Sequence, residues 1–235
     1  MKACQDAGAT WERMACTQEC WYGAGRGIAQ SDGRCPSSRE GMRSMDRSDT
    51  FRILMLGNSF TRANGLPELL AEKLSCEVEV HARGGARLAE QLNPKTKLGS
   101  QTLASLEAGG YAFVVLQEMS TAAVASPASF ERSVQRLASL VRAQKGVPIL
   151  FETWAFCEGC PRLAALGLAP SSMQDAITSV CRSIADKDRL VLAEVGEAFR
   201  KQGFAPRLYG RDGRHPSLDG TKLAVQVLAS AIRGA

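Results

Sequence analysis

Strand-like and helix-like patterns alternate along this chain from residue 51 to its C-terminus. Five short apolar runs predict strands at 51–57, 76–82, 112–116, 147–151 and 189–195. Helical patterns separate them at 66–74, 102–106, 127–145 and 171–185, and another at 218–232 closes the chain. Since strands that alternate with helices pair in parallel through right-handed crossovers, the sequence predicts an α/β fold: a five-stranded parallel sheet between two layers of helices.

Composition and charge exclude several classes of protein. The 235 residues are 45% hydrophobic, unlike a collagen-like, mucin-like or wholly disordered chain. The formal net charge of +5 is spread along the chain, so we expect no nucleic-acid partner. Charged residues interrupt every apolar window that could become a membrane helix, and residues 1–10 lack the apolar stretch of a secretory signal. The sequence as written therefore predicts a cytoplasmic protein with no membrane partner.

Residues 1–50 differ from the rest of the chain. They show no sustained periodicity, their charges cancel, and they contain four of the eight cysteines. We predict a disordered N-terminal extension at 1–50, with Met42 or Met45 as a natural translation start, followed by one domain at 51–235. The alternative is a metal- or partner-binding arm built on Cys16 and Cys20.

Cys157 and Cys160 form a Cys-x-x-Cys motif, which could be a redox pair or half of a zinc site. Pro161 follows at once, whereas a thioredoxin-type pair opens a helix directly after a strand. No second Cys-x-x-Cys or clustered histidine completes a zinc ligand set. We therefore predict a loop that contains two thiols, with no metal and no organic cofactor.

Chemistry in an open parallel sheet collects at the carboxyl ends of the strands. Ser59 lies there, in the sequence Gly-Asn-Ser-Phe-Thr directly after the first predicted strand. A serine at a sharp strand-to-helix turn exposes its hydroxyl and can be a nucleophile. Gly-Asn-Ser is also ordinary turn chemistry, so this segment alone leaves both interpretations open.

The chain contains only two histidines. His81 alternates with apolar neighbours in the second predicted strand, which favours a structural role. His215 lies in a polar loop three residues after Asp212, and a nucleophilic serine needs such a base, held by such an anion. The same loop could instead only shape a turn whose Ser217 caps the last helix, and both roles are compatible.

With these residues the chain resembles the SGNH/GDSL hydrolase superfamily, within it the group whose first block reads Gly-Asn-Ser-Phe-Thr. The resemblance covers residues 51–235, and the closing stretch 208–217 is its most specific part. It implies a flavodoxin-like three-layer fold, with Ser59 as nucleophile, His215 as base and Asp212 as acid. It also implies an oxyanion hole made by the backbone of Ser59 and by a glycine, Gly85 or failing that Gly84.

The third block departs from the family pattern. The family supplies an asparagine amide to the oxyanion hole after the third strand, where this chain has Gln117. Gln117 carries the same amide on a longer side chain and could donate that hydrogen bond; the alternative is a polar residue that only ends the strand. Asn58, Glu118 and Trp154, at neighbouring strand ends, are candidates for contacting substrate. Glu118 and Trp154 could instead fix the loops in which they lie.

The sequence thus predicts a serine esterase that acts on a small-molecule ester. Short strand-end loops favour a small acyl group, and an O-acetylated carbohydrate is the preferred substrate. The altered third block keeps one alternative open, a non-catalytic domain on the same fold. In that case the turns after the first two strands would hold a sugar or a phosphate at helix N-termini.

Overall fold

A computed structural model describes residues 50–235. The predicted extension at 1–50, with its alternative of a Cys-rich arm, lies outside the described residues except for Thr50. Five strands form one sheet, β1 (Arg52–Gly57), β2 (Glu77–Ala82), β3 (Phe113–Gln117), β4 (Val147–Phe151) and β5 (Val191–Ala193). All neighbouring strands are parallel, in the order β2–β1–β3–β4–β5, which confirms the predicted fold class.

Ten α-helices connect and follow these strands. They are α1 (Ser59–Arg62), α2 (Leu66–Leu74), α3 (Leu88–Gln91), α4 (Lys97–Ala108), α5 (Ala122–Ala125), α6 (Pro127–Ala143), α7 (Pro161–Ala165), α8 (Pro170–Asp188), α9 (Val195–Lys201) and α10 (Leu218–Arg233). The five longest were predicted, whereas the shorter ones carry too few residues for a recognisable period. No helix within residues 50–235 combines the length and the apolar character needed to cross a bilayer.

Helices cover both faces of the sheet. Helices α2 and α10 pack together on one face, and α4, α6 and α8 pack side by side on the other. Strands β1 and β3 lie at the centre, and their apolar side chains are buried because helices cover them on both sides. From β1 the chain passes to β2, at one edge of the sheet, whereas from β3 it passes to β4, toward the opposite edge. A crevice is therefore expected where the carboxyl ends of β1 and β3 meet.

One carboxyl group is fully buried in this core. Glu152, directly after β4, accepts hydrogen bonds at Oε1 from the Gln174 side chain (3.1 Å) and the Glu197 backbone N–H (3.0 Å). Its Oε2 has no hydrogen-bond partner among the described residues, as suits a protonated carboxyl group. Burial raises the pKa of Glu152 to about 7, against an ordinary value of 4.5.

This pKa gives the stability of the fold a defined pH dependence. Between pH 4.5 and 7 the folded protein keeps a proton on Glu152 that the unfolded chain has lost, so the free energy of unfolding should fall as the pH rises through this window. Glu152→Gln mimics the protonated form and should remove roughly 3 kcal/mol of that dependence. Urea unfolding at pH 5 and pH 7.5 measures it, with the exposed Glu72→Gln as control. An equal change in the free energy of unfolding between pH 5 and pH 7.5 for wild type and Glu152→Gln would contradict the raised pKa of Glu152.

Candidate active site

Ser59 is the first residue of α1, at the carboxyl end of the central strand β1. Asn58 caps this helix, because its Oδ1 accepts the backbone N–H of Phe60 (3.1 Å). Gly57 ends the strand, where a Cβ would collide with the side chains of Thr61 and Gln117. The tight turn that the Gly-Asn-Ser sequence favours therefore also places the Ser59 hydroxyl at the edge of the sheet.

The loop before α10 brings His215 to this serine. The imidazole Nδ1–H donates to Asp212 Oδ2 (2.6 Å), which leaves Nε2 to accept the hydroxyl proton of Ser59 (2.8 Å). Residues 156 positions apart in sequence thus form one hydrogen-bonded chain from carboxylate to hydroxyl. This arrangement can take a proton from a nucleophilic serine and stabilise the resulting imidazolium.

The Asp212 loop is held by its own backbone. Asp212 Oδ1 accepts the N–H groups of Arg214 and His215, both at 3.0 Å. Burial alone would raise the pKa of Asp212, but the hydrogen bonds from the His215 ring and from these two N–H groups lower it to about 2. Asp212 is therefore a carboxylate at neutral pH. Ser217 also caps α10, accepting the Gly220 N–H at 3.2 Å, so the same loop carries the cap and holds His215 beside Ser59.

His81, the other histidine, lies away from this site. Its side chain is buried in β2, where Nδ1 pairs with the Thr102 hydroxyl (3.1 Å) and Nε2 with Glu79 Oε1 (2.9 Å). Both ring nitrogens thus have partners inside the fold, in keeping with the structural role expected from the strand pattern.

Gln117 does not reach the site as expected for an oxyanion donor. Its Oε1 accepts the Asn58 N–H (3.0 Å) and the Thr61 hydroxyl (2.8 Å), and its Nε2 donates to the Glu118 carbonyl (2.5 Å). The side chain is buried and does not line the cavity beside Ser59. Gln117 instead fastens the turn that carries Ser59 to the neighbouring strand β3.

Two of the three predicted substrate contacts, Glu118 and Asn58, use their side-chain atoms in hydrogen bonds to the backbone. Glu118 is buried and accepts the backbone N–H groups of Leu88 (3.1 Å) and Met119 (2.8 Å), which ties β3 to the start of α3. Burial raises the pKa of Glu118, although these hydrogen bonds oppose the effect. Asn58 does line the cavity beside Ser59, but its side-chain atoms bond the backbone of Phe60 and Ala86.

Trp154, the third predicted contact, is fully buried beneath the site. Its ring is stacked between Phe60 (centroid distance 4.9 Å) and Phe199 (4.5 Å), and its Nε1–H donates to the Arg214 carbonyl (2.9 Å). Phe60 in turn meets the His215 ring edge-on at 5.1 Å. No substrate can touch Trp154, so its role is to support the histidine loop from below.

Ser59 and His215 open onto a cavity of about 340 Å³. Gly85 also lines it, with φ of +69° that glycine adopts without strain, and its backbone N–H has no partner among the described residues. Gly84, the alternative, does not line this cavity. The sequence reasoning missed Ser120, Arg162 and Arg214 in its wall. Of these, only Arg214 could have been expected from the sequence, because it precedes His215. Arg162 reaches the cavity because the loop after β4 folds back toward Ser59.

The Cys-x-x-Cys segment packs against the Asp212 loop. The Cys157 N–H donates to the Gly213 carbonyl (2.9 Å), and the Cys160 thiol lies 3.5 Å from the Asp212 carbonyl. Both thiols are free, and burial raises the pKa of Cys157. Within residues 50–235 no three His, Cys, Asp or Glu side chains cluster as metal ligands. Cys157 and Cys160 thus pack against the loop that carries Asp212.

Comparison with solved structures gives relatives that include an SGNH hydrolase, a lipase and an esterase. A putative SGNH hydrolase from Slackia heliotrinireducens is 44% identical, with a TM-score of 0.75, over 78% of this chain and 100% of its own. The lipase/acylhydrolase from Enterococcus faecalis (15% identity, TM-score 0.61, 79% and 96% covered) shares the fold. The acetylxylan esterase Axe2 from Geobacillus stearothermophilus also shares the fold, with 13% identity and a TM-score of 0.57 over 77% of this chain and 94% of its own. No protein-family model and no curated protein matches the chain.

Proposed function

The chain belongs to the SGNH hydrolase family, and from this premise we propose that residues 51–235 form a serine esterase domain that hydrolyses small acyl esters. Ser59 is the nucleophile, His215 the general base and acid, and Asp212 the anion that orients His215. The observation that carries the proposal is the 2.8 Å hydrogen bond between Ser59 Oγ and His215 Nε2, with His215 Nδ1 held by Asp212.

The reaction follows from this geometry in two steps. His215 Nε2 takes the proton of Ser59 as Oγ bonds to the ester carbonyl carbon, and then returns it to the departing alcohol. Water next attacks the acyl-enzyme with His215 again as base, which releases the acid and restores the Ser59 hydroxyl. The ionised Asp212 stabilises the imidazolium that forms in both steps.

The oxyanion is stabilised by backbone N–H groups. Ser59 begins a helix, so its N–H has no partner within that helix, and the Gly85 N–H is also without a partner in the described part of the chain. Both residues line the same cavity. The proposal relies on these two donors and not on the predicted Gln117 amide, since Gln117 does not line this cavity.

A cavity of about 340 Å³ suits a short acyl group rather than a long acyl chain. An O-acetylated carbohydrate remains the preferred natural substrate. Wild-type protein should hydrolyse 4-nitrophenyl acetate and should be labelled at Ser59 by a fluorophosphonate, which reacts only with an activated serine. Absence of both turnover and labelling would instead support a non-catalytic binding domain.

Asp212→Asn should lower kcat/KM for 4-nitrophenyl acetate on the order of 10³–10⁴-fold. An asparagine keeps the shape of the side chain but removes the charge that stabilises the His215 imidazolium and fixes its tautomer. The exposed Asp219→Asn, in the first turn of α10, is the matched control and should retain full activity. A loss below tenfold in Asp212→Asn would exclude Asp212 from the proposed mechanism.

A further inference from the structure

The charged side chains in the wall of the cavity at Ser59 are all positive. Arg162, from α7, and Arg214, from the histidine loop, both line it together with Ser59 and His215. No aspartate or glutamate of residues 50–235 belongs to its wall. An esterase that only had to accept a neutral acetyl ester would have no use for two guanidinium groups beside its nucleophile.

The two arginines leave about one positive charge uncompensated. Arg214 Nη2 lies 3.2 Å from Asp212 Oδ2, so part of its charge is neutralised within the loop. Arg162 is exposed at the mouth of this cavity and forms neither an ion pair nor a side-chain hydrogen bond with any described residue. Its guanidinium thus keeps its charge and its hydrogen-bond donors for a ligand.

A second group in the same wall also lacks a partner. Ser120 is only 4% exposed, and its hydroxyl makes no hydrogen bond within the described part of the chain. Buried hydroxyl groups are nearly always hydrogen-bonded, so the Ser120 hydroxyl in the cavity wall is available to a polar group of the ligand. A larger adjoining cavity of about 500 Å³ shares Arg162 and Arg214, which places the arginine pair where the two cavities meet. The carboxylates of Glu158 and Asp212 line the larger cavity but not the one at Ser59.

We infer that the ester hydrolysed at Ser59 carries a carboxylate group, which Arg162 binds with help from Arg214 at the junction of the two cavities. One uncompensated positive charge matches a monoanion better than a doubly charged phosphate. A guanidinium donates two parallel hydrogen bonds to a carboxylate, which fixes the orientation of the substrate. This inference rests on the proposed esterase function and narrows its substrate class.

Matched ester pairs test it on the full-length protein. Phenyl acetate against 4-acetoxybenzoate places the carboxylate on the alcohol side, and 4-nitrophenyl butyrate against mono-4-nitrophenyl succinate places it on the acyl side. We expect one charged ester to be preferred in kcat/KM by roughly 10–100-fold, the range for charge-assisted hydrogen bonds. In Arg162→Gln this preference should fall about tenfold. Arg214 is the poorer test, because its replacement also disturbs Asp212.

Arg211→Gln is the matched control, since Arg211 is exposed and lines only the larger cavity. It removes one positive charge and should leave the preference within about twofold, because Arg211 does not line the cavity that contains Ser59, whereas Arg162 does. Turnover of neutral esters with no preference for either charged one, or a preference that survives in Arg162→Gln, overturns the inference alone. Absence of all ester turnover and of fluorophosphonate labelling overturns the proposed function, and the inference with it.

Discussion

Ser59→Ala should reduce hydrolysis of 4-nitrophenyl acetate by on the order of 10⁴–10⁶-fold and abolish fluorophosphonate labelling. The variant lacks the only oxygen that His215 Nε2 contacts in the described structure, so the acyl-enzyme cannot form. Residual activity should come from binding and from the oxyanion donors, which do not depend on the hydroxyl. Steady-state kinetics and probe labelling of wild type and variant measure both effects.

The variant should fold normally. The Ser59 hydroxyl forms no hydrogen bond that holds the turn, which is fastened by Asn58 and Gln117 instead. The free energy of unfolding of Ser59→Ala, measured by thermal denaturation, should therefore lie within about 0.5 kcal/mol of the wild-type value. The exposed Ser172→Ala, in the first turn of α8, is the matched control and should keep full activity. Substantial turnover by a folded Ser59→Ala protein would refute the proposed nucleophile.

The architecture could be predicted from sequence because the strands are buried on both faces. A short, continuous apolar run such as 53–56 in β1 is typical of a parallel strand that helices cover on both faces. The ends of the elements were less predictable. The fifth strand was expected at 189–195 but spans only Val191–Ala193, because Arg189 is the left-handed cap of α8 and Val195 already begins α9. Both boundaries depend on cap geometry rather than on hydrophobic pattern.

The candidate site was predictable where its groups are local in sequence. Asp212 and His215 are three residues apart, and the scarcity of histidine singled out His215. The orientation of Gln117 was not predictable, since an amide at a strand end can point to the cavity or to the neighbouring turn. The packing of β1 against β3 determines which of the two it faces. Arg162 carries no pattern at all, because the loop after β4 must fold back before it meets Ser59.

Trp154→Ala should destabilise the fold by about 3–5 kcal/mol, the usual cost of truncating a fully buried large aromatic residue. It removes the ring stacked between Phe60 and Phe199 and leaves the Arg214 carbonyl without its donor. Chemical denaturation measures the loss. Trp154→Phe, which keeps an aromatic ring but not the indole N–H, is the milder companion and should cost less than the alanine variant.

These variants also separate a supporting role for Trp154 from a substrate contact. A contact residue would raise KM and leave the unfolding free energy unchanged, whereas a residue beneath the site should lower stability in both variants and change KM little. Because Phe60 lies between Trp154 and the His215 ring, loosening the stack should also lower kcat for a neutral ester such as 4-nitrophenyl acetate. A raised KM at wild-type stability in Trp154→Phe would return Trp154 to the substrate cavity, against its complete burial.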